Sequence, residues 1–384
     1  MVVASPRANL ARLRRLIDDA DRQLLELLIR RYGLAGEVAA LKRGAGVERY
    51  IPWRELQILR RIETLNAGRL PQAVLAGIFR DILGLCRQSR EPLTVTFPGP
   101  AGSLAHAAAT AQFGFATRLE PAAGLADVFE RVTQQRAHYG VVPLETASEG
   151  LGARALEYFL ESDLTITAEH FWKLMLVVAG SRVRGHPRRL HVPEAVYALS
   201  RPWLRETFPR ASMATGPSVA WAAQAAAAEP GSAAVCPELT AEVHGLQVVR
   251  RAPGPALAPE LRFLTAGRSM PEVTRADKTT IAFSLADRVG ILEETLGLFR
   301  RHRINLTFFE SYYPSRTLPT ATFFADFIGH STEAGIQRVL GDLRRLTSFV
   351  KVLGSYPVFA TGQTGPSYPY SSGVSPVKAE IQES

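Results

Sequence analysis

The sequence predicts a multidomain protein in which an all-α segment is followed by an α/β segment and then by an α+β segment. Residues 7–43 contain no proline and carry apolar residues at helical spacing. From Leu93 onward, short apolar strands alternate with helical stretches, as is typical of an open α/β sheet. From Thr279 onward, the predicted order is strand, helix, two strands, helix and strand.

Composition narrows the classes of function. The 384 residues carry a net charge of +9 and suffice for two or three domains. No basic run is interleaved with aromatic residues, so we expect no nucleic-acid partner. The two cysteines, Cys86 and Cys236, lie far apart, which argues against a disulfide scaffold and fits a reducing compartment. No apolar stretch is long enough for a membrane span, so we expect a cytoplasmic protein without a membrane partner.

The first helix contains the most informative residues. Its apolar positions fall on one stripe when the helix is drawn at about 100° per residue. Arg14, Arg31 and Lys42 lie inside this stripe, and Asp21 is the only acid there. An inward cation without a partner is costly, so it usually marks a site that receives an anion. Several such cations around one cavity would suit a small dicarboxylate.

Two shorter helices are predicted after the first, at Trp53–Leu65 and Gln72–Gln88. A helix as long as residues 7–43 cannot be covered by two such partners. The apolar surface that remains predicts an intertwined dimer.

The middle segment reads as alternating strands and helices. Strands are predicted at Leu93–Phe97, Gly140–Pro143, Leu164–Glu169, Met175–Ala179, Ala233–Cys236 and Phe263–Thr265, and helices at Leu125–Gln135, Gly152–Leu160, Pro193–Leu199 and Pro217–Ala228. A turn at 98–102 precedes another helix, with Ser103 as its predicted N-cap. A long section of this kind often forms two lobes around a cleft.

The C-terminal segment has the order of a ferredoxin-like domain. Strands are predicted at Thr279–Leu285, Thr307–Tyr313, Thr320–Phe327 and Val350–Ser355, and helices at Gly290–His302 and Glu333–Leu346. Ser269–Asp277 reads as a linker, and residues 361–384, rich in Gly, Ser, Pro and Thr, predict a disordered tail. The predicted domains are therefore 1–91, 92–268 and 269–360.

Several motifs have the spacing of one known family. The motifs are Leu13-Arg-Arg-Leu-Ile-Asp-Asp-Ala-Asp21, Arg31, Lys42, Arg54-Glu55, Phe79-Arg-Asp-Ile82, Gly99-Pro-Ala-Gly-Ser103, Val141-Val-Pro-Leu-Glu-Thr-Ala-Ser-Glu-Gly150, Leu261-Arg-Phe263, Asp287-Arg-Val-Gly-Ile-Leu292, Asn305-Leu-Thr307 and Glu310-Ser-Tyr-Tyr313. With this architecture, the chain resembles the bifunctional chorismate mutase–prephenate dehydratase of phenylalanine biosynthesis. That family joins a helical mutase domain, a two-lobed dehydratase domain and a ferredoxin-like ACT domain that senses an amino acid.

The resemblance implies that the catalytic residues of the mutase are Arg14, Arg31, Lys42, Arg54 and Glu55. Chorismate rearrangement is pericyclic, so the enzyme only holds a dicarboxylate in a compact conformer and stabilises charge at the ether oxygen. In the family, the first arginine reaches in from the partner subunit, the lysine donates to the ether oxygen and the glutamate accepts from the substrate hydroxyl. Arg90 stands where the family usually has Gln or Glu.

For the dehydratase-like part, the resemblance implies substrate binding by Ser103, Glu145, Thr146 and Arg262. The glycines of the first motif, with Ser103 as N-cap, would let backbone N–H groups face an anion. Several positions depart from the family: Thr146 replaces Asn, Ala147 replaces Ser, Leu174 and Val192 each replace His, and Leu261 replaces Thr. The family's threonine is thought to assist departure of the ring hydroxyl, and leucine has no proton to give. For this part, a dehydratase and a prephenate decarboxylase-like enzyme both stay open. For the whole chain, the alternative is a non-catalytic regulator that binds aromatic metabolites or amino acids.

For the ACT-like part, the resemblance implies an effector site. Its residues are Gly290, Ile291, Leu292, Glu310 and Ser311. A glycine opening a helix permits close approach, and the free N–H groups of the helix start can hold an amino-acid carboxylate. Phenylalanine is the expected effector, although Tyr312 replaces an arginine of the family. We expect no cofactor and no metal ion, chorismate and prephenate as substrates, and a homodimer or tetramer.

Overall fold

A computed structural model describes residues 6–44, 52–87, 93–114, 117–145, 152–181, 186–253, 260–286, 288–312 and 321–358. The predicted tail at 361–384 lies outside the described residues.

The N-terminal part consists of three helices, as predicted. They are α1 (Pro6–Gly44), α2 (Pro52–Asn66) and α3 (Gln72–Arg87). Asn66 fixes the turn between α2 and α3, because its side chain donates to Leu70 O at 2.9 Å and accepts from Leu70 N at 3.0 Å. Helix α3 packs against both α1 and α2. The C-terminal turns of α1 and the side of α2 therefore share one neighbour.

Most of α1 is not covered within a single chain. Every side chain from Arg12 to Leu27 is exposed. The apolar members of the stripe are among them: Leu13 is 51% exposed, Ile17 59% and Leu24 56%. Apolar surface on this scale is stable only against a further partner.

The middle of the chain is α/β, as predicted. Its strands are β1 (Thr94–Pro98), β2 (Arg118–Ala122), β3 (Tyr139–Glu145), β4 (Thr165–Lys173), β5 (Leu176–Gly180), β6 (Arg189–Pro193), β7 (Ser212–Gly216), β8 (Ser232–Pro237), β9 (Gln247–Arg251) and β10 (Glu260–Gly267). Its helices are α4 (Leu104–Phe113), α5 (Leu125–Thr133), α6 (Gly152–Glu161), α7 (Glu194–Thr207), α8 (Val219–Ala228) and α9 (Glu238–Val243).

These strands form two five-stranded sheets in the described part of the chain. The first has the order β2-β1-β3-β10-β4, and β1 runs parallel to both β2 and β3. The second has the order β7-β6-β8-β5-β9. In it, β6 runs parallel to β7 and β8, whereas β5 is antiparallel to β8 and β9. Two sheets of this kind agree with the expected two lobes.

The C-terminal part is a ferredoxin-like α+β domain, as predicted. Its elements are β11 (Asp277–Ser284), α10 (Ile291–Arg301), β12 (Leu306–Tyr312), β13 (Thr322–Ile328), α11 (Ala334–Leu346) and β14 (Phe349–Pro357). The antiparallel sheet has the order β12-β13-β11-β14. Phe283 of β11, Phe299 of α10 and Leu340 of α11 meet in one hydrophobic core. Burial of one sheet face under the two helices holds this part together.

The described residues divide into two compact units whose boundaries fall inside elements. One unit takes its residues from 1–142, 154–168 and 264–357, and the other from 143–153, 169–263 and 358–384. The boundaries lie within β3, α6, β4 and β10. The domain boundaries predicted at 91/92 and 268/269 stay predictions.

Strands β2, β6, β7 and β9 and helix α9 were not predicted from the sequence, and α7 is longer than predicted. Helix α7 continues through Pro202 to Thr207 instead of ending at Leu199. Separately, no helix among the described residues is long and apolar enough to cross a bilayer.

Candidate functional site

The last turn of α3 brings two of the predicted mutase residues together. Arg31 of α1 is half-buried, and its Nη1 donates to Cys86 Sγ at 2.7 Å. Glu55 of α2 forms an ion pair with Arg87, and both side chains are less than a fifth exposed. Cys86 and Arg87 are consecutive residues of α3. Arg31 and Glu55 therefore converge on the same end of one helix, a cation and an anion supplied by two different elements.

The other predicted mutase residues take different places. Arg54 is exposed and donates to Gln57 Oε1 at 2.9 Å. Lys42 belongs to α1, but its side chain lies outside the described residues, as does Arg90. Arg14 is exposed on α1, so the inward orientation predicted for it is not met within one chain. The reason is that the stripe around Arg14 is itself uncovered in a single copy.

The Gly-Pro-Ala-Gly-Ser motif forms a tight loop that caps α4. Ser103 is the N-cap as predicted, since its Oγ accepts from His106 N at 3.2 Å. Gly99 and Gly102 have φ of +90° and +82°, which side chains with a Cβ rarely adopt. These glycines allow the chain to turn from β1 directly into α4.

Three amide groups of this loop already have partners, which differs from the expectation that they face an anion. Gly99 N donates to Ala122 O at 2.9 Å, and Ser103 N donates to Pro100 O at 3.1 Å. Gly102 N donates to His106 Nδ1 at 3.0 Å. Their first role is to hold the loop closed, and the binding role of Ser103 stays a prediction.

His106, in the first turn of α4, contacts this loop in a way that the sequence did not reveal. Its ring stacks on Phe97 with centroids 4.8 Å apart, and its Nδ1 accepts the Gly102 amide. Burial lowers the pKa of His106 from its ordinary 6.5. The neutral ring is the form that can accept at Nδ1, so burial and hydrogen bonding favour the same protonation state.

Arg262 is buried in an ion pair that the sequence analysis did not foresee. Its Nε and Nη2 lie 3.0 Å and 2.9 Å from Glu169 Oε2, and both side chains are at most 3% exposed. The Phe171 ring lies 5.6 Å from the guanidinium carbon. We predicted that Arg262 binds a carboxylate of the substrate. In the structure it binds the carboxylate of Glu169, on β4. An acidic residue inside a predicted strand was the signal that could have identified Glu169.

Two positions where the dehydratase motifs depart from the family, Leu174 and Leu261, are apolar and packed. Leu174 is fully buried and Leu261 is 4% exposed. Both side chains therefore fill the core, and neither can exchange a proton. Glu145 ends β3, but its side chain lies outside the described residues, as does the whole of Thr146.

The predicted effector residues lie at the start of α10 and on β12. Gly290 has φ of +83° and precedes Ile291, which is buried, and Leu292, which is 38% exposed. Glu310 and Ser311 lie near the end of β12, an edge strand of its sheet. Arg288 makes two contacts of 2.7 Å with the Glu294 carboxylate and so closes the turn before α10.

Comparisons with known proteins agree with this arrangement. The family model of chorismate mutase type II matches residues 13–91, and that of prephenate dehydratase matches residues 95–265. The Arthrobacter aurescens prephenate dehydratase, solved in complex with L-Phe, superposes with a TM-score of 0.63 at 29% identity, covering 69% of this chain and 90% of that one. A Staphylococcus aureus prephenate dehydratase at 18% identity and a TM-score of 0.59, covering 69% of this chain and 100% of its own, shares the fold.

Two curated relatives cover nearly the whole chain. The bifunctional chorismate mutase/prephenate dehydratase of Aquifex aeolicus is 33% identical over 354 residues, which is 91% of this chain and 98% of that protein. The enzyme of the same name from Pseudomonas aeruginosa is 34% identical over 357 residues, with the same coverage. The chain belongs to the bifunctional chorismate mutase/prephenate dehydratase family.

Proposed function

We propose that this protein isomerises chorismate to prephenate in its helical part and converts prephenate to phenylpyruvate in its α/β part, under control by phenylalanine. The observation that carries the proposal is the convergence of Arg31 and Glu55 on the last turn of α3. The matches to both family models, in the expected order along the chain, support the two activities. We further propose domains at 1–91, 92–268 and 269–360, and a cytoplasmic location.

In the mutase site, the protein needs no nucleophile and no general base. Arg31 pairs with one substrate carboxylate, and Arg14 of a second copy pairs with the other. Lys42 donates to the ether oxygen, where negative charge develops as the C–O bond breaks. Glu55 accepts the substrate hydroxyl, and the exposed Arg54 adds positive charge at the start of α2. Binding in the compact conformer removes most of the entropic cost of reaching the transition state.

In the dehydratase-like site, the reaction removes the ring carboxylate of prephenate as carbon dioxide and its ring hydroxyl as water. Ser103, Glu145 and Thr146 are the residues that we assign to this substrate, whereas the buried pairing of Arg262 with Glu169 gives Arg262 a structural role beside them. The hydroxyl needs a proton to leave, and Leu261 cannot supply it. We assign that step to a group other than residue 261.

For the effector, we propose an amino-acid site at Gly290, Ile291, Leu292, Glu310 and Ser311. The solved dehydratase with bound L-Phe supports phenylalanine as the ligand class. Gly290 is the N-cap of α10 and has no Cβ that would limit the approach of a ligand to the first turn. The amide groups of that turn suit a carboxylate.

The experiment that tests the function is a product analysis after incubation with chorismate. We expect phenylpyruvate to accumulate. Accumulation of prephenate alone would indicate that only the mutase is active. A non-aromatic keto acid with carbon dioxide would indicate a decarboxylase. No turnover, combined with calorimetric binding of phenylalanine or prephenate, would indicate a non-catalytic regulator.

Arg31→Ala tests the site assignment in the same assay. Loss of a carboxylate partner should lower mutase kcat/KM by on the order of 100-fold or more. Arg30→Ala is the matched control, since Arg30 is the exposed neighbour on the same helix. Wild-type turnover in Arg31→Ala would show that the mutase site lies elsewhere.

A further inference from the structure

Arg87 makes contacts that neither proposed reaction requires. It is the last residue of α3, and its side chain is 12% exposed. One edge of its guanidinium pairs with Glu55. The other edge donates to the carbonyl oxygen of Phe113, and to Thr117 Oγ1 at 3.2 Å. Glu55 lies in the part of the chain that matches chorismate mutase, whereas Phe113 and Thr117 lie in the part that matches prephenate dehydratase.

The two acceptors on the dehydratase side are held in place by contacts that do not involve Arg87. Phe113 is the last residue of α4, so its carbonyl lies at the negative end of that helix. Thr117 Oγ1 also donates to Phe113 O, at 2.8 Å. A guanidinium has five donors in a rigid plane, so it can serve a carboxylate on one edge and two neutral oxygens on the other.

The neighbouring packing shows that α3 and α4 are built to meet. Gly114 follows α4 with φ of +78°. A Cβ at Gly114 would lie 3.1 Å from Asp81 Oδ1 and 3.3 Å from Arg80 O, both on α3. Residues other than glycine would therefore push the two helices apart. Close approach of the backbones is what allows Arg87 to span them.

We infer that Arg87 is a positioning residue for the mutase, which sets the orientation of the Glu55 carboxylate through anchors in the dehydratase-like part. This rests on the proposed role of Glu55 as the acceptor for the substrate hydroxyl. The carbonyl oxygen of Phe113 and the hydroxyl oxygen of Thr117 hold the guanidinium, and the guanidinium holds Glu55 Oε1. The geometry of the isomerising site then depends on a segment that does not touch chorismate.

A purely structural tie between the two parts makes a different prediction. Removing such a tie would lower the free energy of unfolding but leave kcat and KM of the folded enzyme unchanged. A positioning role instead lowers kcat, and its effect disappears when Glu55 can no longer accept a hydrogen bond. Mutational coupling separates the two cases.

The experiment measures mutase kinetics of the full-length protein in a double-mutant cycle. Arg87→Met should lower kcat by about 10- to 100-fold, because small displacements of a catalytic group cost that much. Arg87→Lys should recover part of the loss, since one ammonium keeps the charge near Glu55 without spanning all three acceptors. On a Glu55→Met background, where residue 55 has no carboxylate or amide oxygen to accept from Arg87, Arg87→Met should add less than about 3-fold.

Thr117→Val keeps the test decisive if Arg87→Met fails to fold. It removes one anchor on the dehydratase side and should lower mutase kcat by about 2- to 10-fold, the worth of one hydrogen bond. Thr110→Val is the matched control, because Thr110 lies on α4 and its Oγ1 donates within that helix, to His106 O at 2.9 Å. It should leave mutase kcat unchanged.

The outcomes distinguish this inference from the proposed function. If Glu55→Met retains wild-type kcat, the proposed role of Glu55 is wrong. If Glu55→Met lowers kcat but folded Arg87→Met and Thr117→Val do not, Arg87 is only a structural tie and the inference is overturned. Additive effects of Glu55→Met and Arg87→Met would overturn it as well.

Discussion

His106 couples the protonation of one ring to the shape of the loop that starts the dehydratase-like part. The ring accepts the Gly102 amide at Nδ1, and that amide belongs to a glycine whose positive φ makes the turn possible. A protonated ring has donors on both nitrogens, so protonation replaces the attraction with repulsion between two N–H groups. The loop should therefore be held closed by neutral His106 and loosened by acid.

The lowered pKa of His106 predicts how the stability of the protein changes with pH. Burial lowers the pKa of His106 below 6.5 in the folded protein, so the folded state binds this proton less readily than the unfolded state. Its contribution to stability is complete above pH 6.5 and is lost as the pH falls through the folded pKa.

Urea unfolding at pH 7 and pH 5 measures this contribution. His106→Asn keeps an acceptor near the Gly102 amide but does not titrate, so its free energy of unfolding should fall less between the two pH values than that of the wild type. The control is His186→Asn, which removes an exposed histidine outside the loop. Equal pH dependence in the wild type and His106→Asn would contradict the prediction.

At the scale of elements, the end of α6 is held by a residue nearly 200 positions further along the chain. Lys351 of β14 donates from Nζ to Phe159 O at 3.0 Å, to Leu160 O at 2.8 Å and to Ser162 O at 2.6 Å. Carbonyl groups in the last turn of a helix lack intrahelical partners and carry partial negative charge. Thr165 Oγ1 adds a bond to Leu353 O at 2.9 Å, just beyond this helix end. One strand of the C-terminal sheet thus caps a helix of the middle segment.

Lys351→Met should destabilise the protein by about 1–3 kcal/mol, because the apolar side chain leaves buried carbonyl groups without a donor. In a domain of 150–250 residues, each kcal/mol lowers the melting temperature by about 2–4 °C. Differential scanning calorimetry gives the shift. Arg344→Met, on the exposed side of α11, is the matched control and should stay within about 0.5 kcal/mol of the wild type. A Lys351→Met variant as stable as this control would mean that the cap contributes nothing.

The elements that could be predicted from sequence are those whose burial gives a clear pattern. Strand β5 is buried along its whole length, and its apolar run was recognised. Strands β2, β7 and β9 are edges of their sheets, and most of their positions are exposed or only partly buried. Without an apolar run they could not be told from loops. These three segments are strands because they pair with neighbouring strands, and a local sequence pattern does not reveal such pairing.

The same reasoning explains what could be predicted of the site. Arg31 and Glu55 were recognised from spacing within their helices, because the motif is local. Their neighbours Cys86 and Arg87 were not assigned a role, and the pairing of Arg262 with Glu169, 93 positions apart, was missed. A partner distant in sequence leaves no trace in either local pattern. Predictions of a charged residue's role are therefore weakest when its partner comes from another element.

For the molecule as a whole, the uncovered part of α1 decides how many chains make one mutase site. Arg14 lies in the segment from Arg12 to Leu27, whose side chains are all exposed. Arg31 lies further along α1, where it contacts Cys86 of α3. The two arginines are 17 residues apart, which is about 26 Å along a helix at 1.5 Å per residue. A single small dicarboxylate cannot contact two side chains of one straight helix at that separation. Both can serve one substrate only if they come from different copies of α1.

Mixing two inactive variants tests this directly. Arg14→Ala and Arg31→Ala should each have little mutase activity, since each lacks one carboxylate partner at every site. In a mixed dimer, one site loses both arginines and the other keeps both. If the chains are unfolded, mixed in equal amounts and refolded, half of the dimers are mixed, so about one quarter of wild-type activity should return.

Refolding each variant alone is the control, and it should recover no activity. Sites built within one chain would give the mixture no more activity than the average of its two parents. Restoration of activity would therefore establish that Arg14 acts across the interface, and that the apolar stripe of α1 exposed in one chain is the surface that joins two.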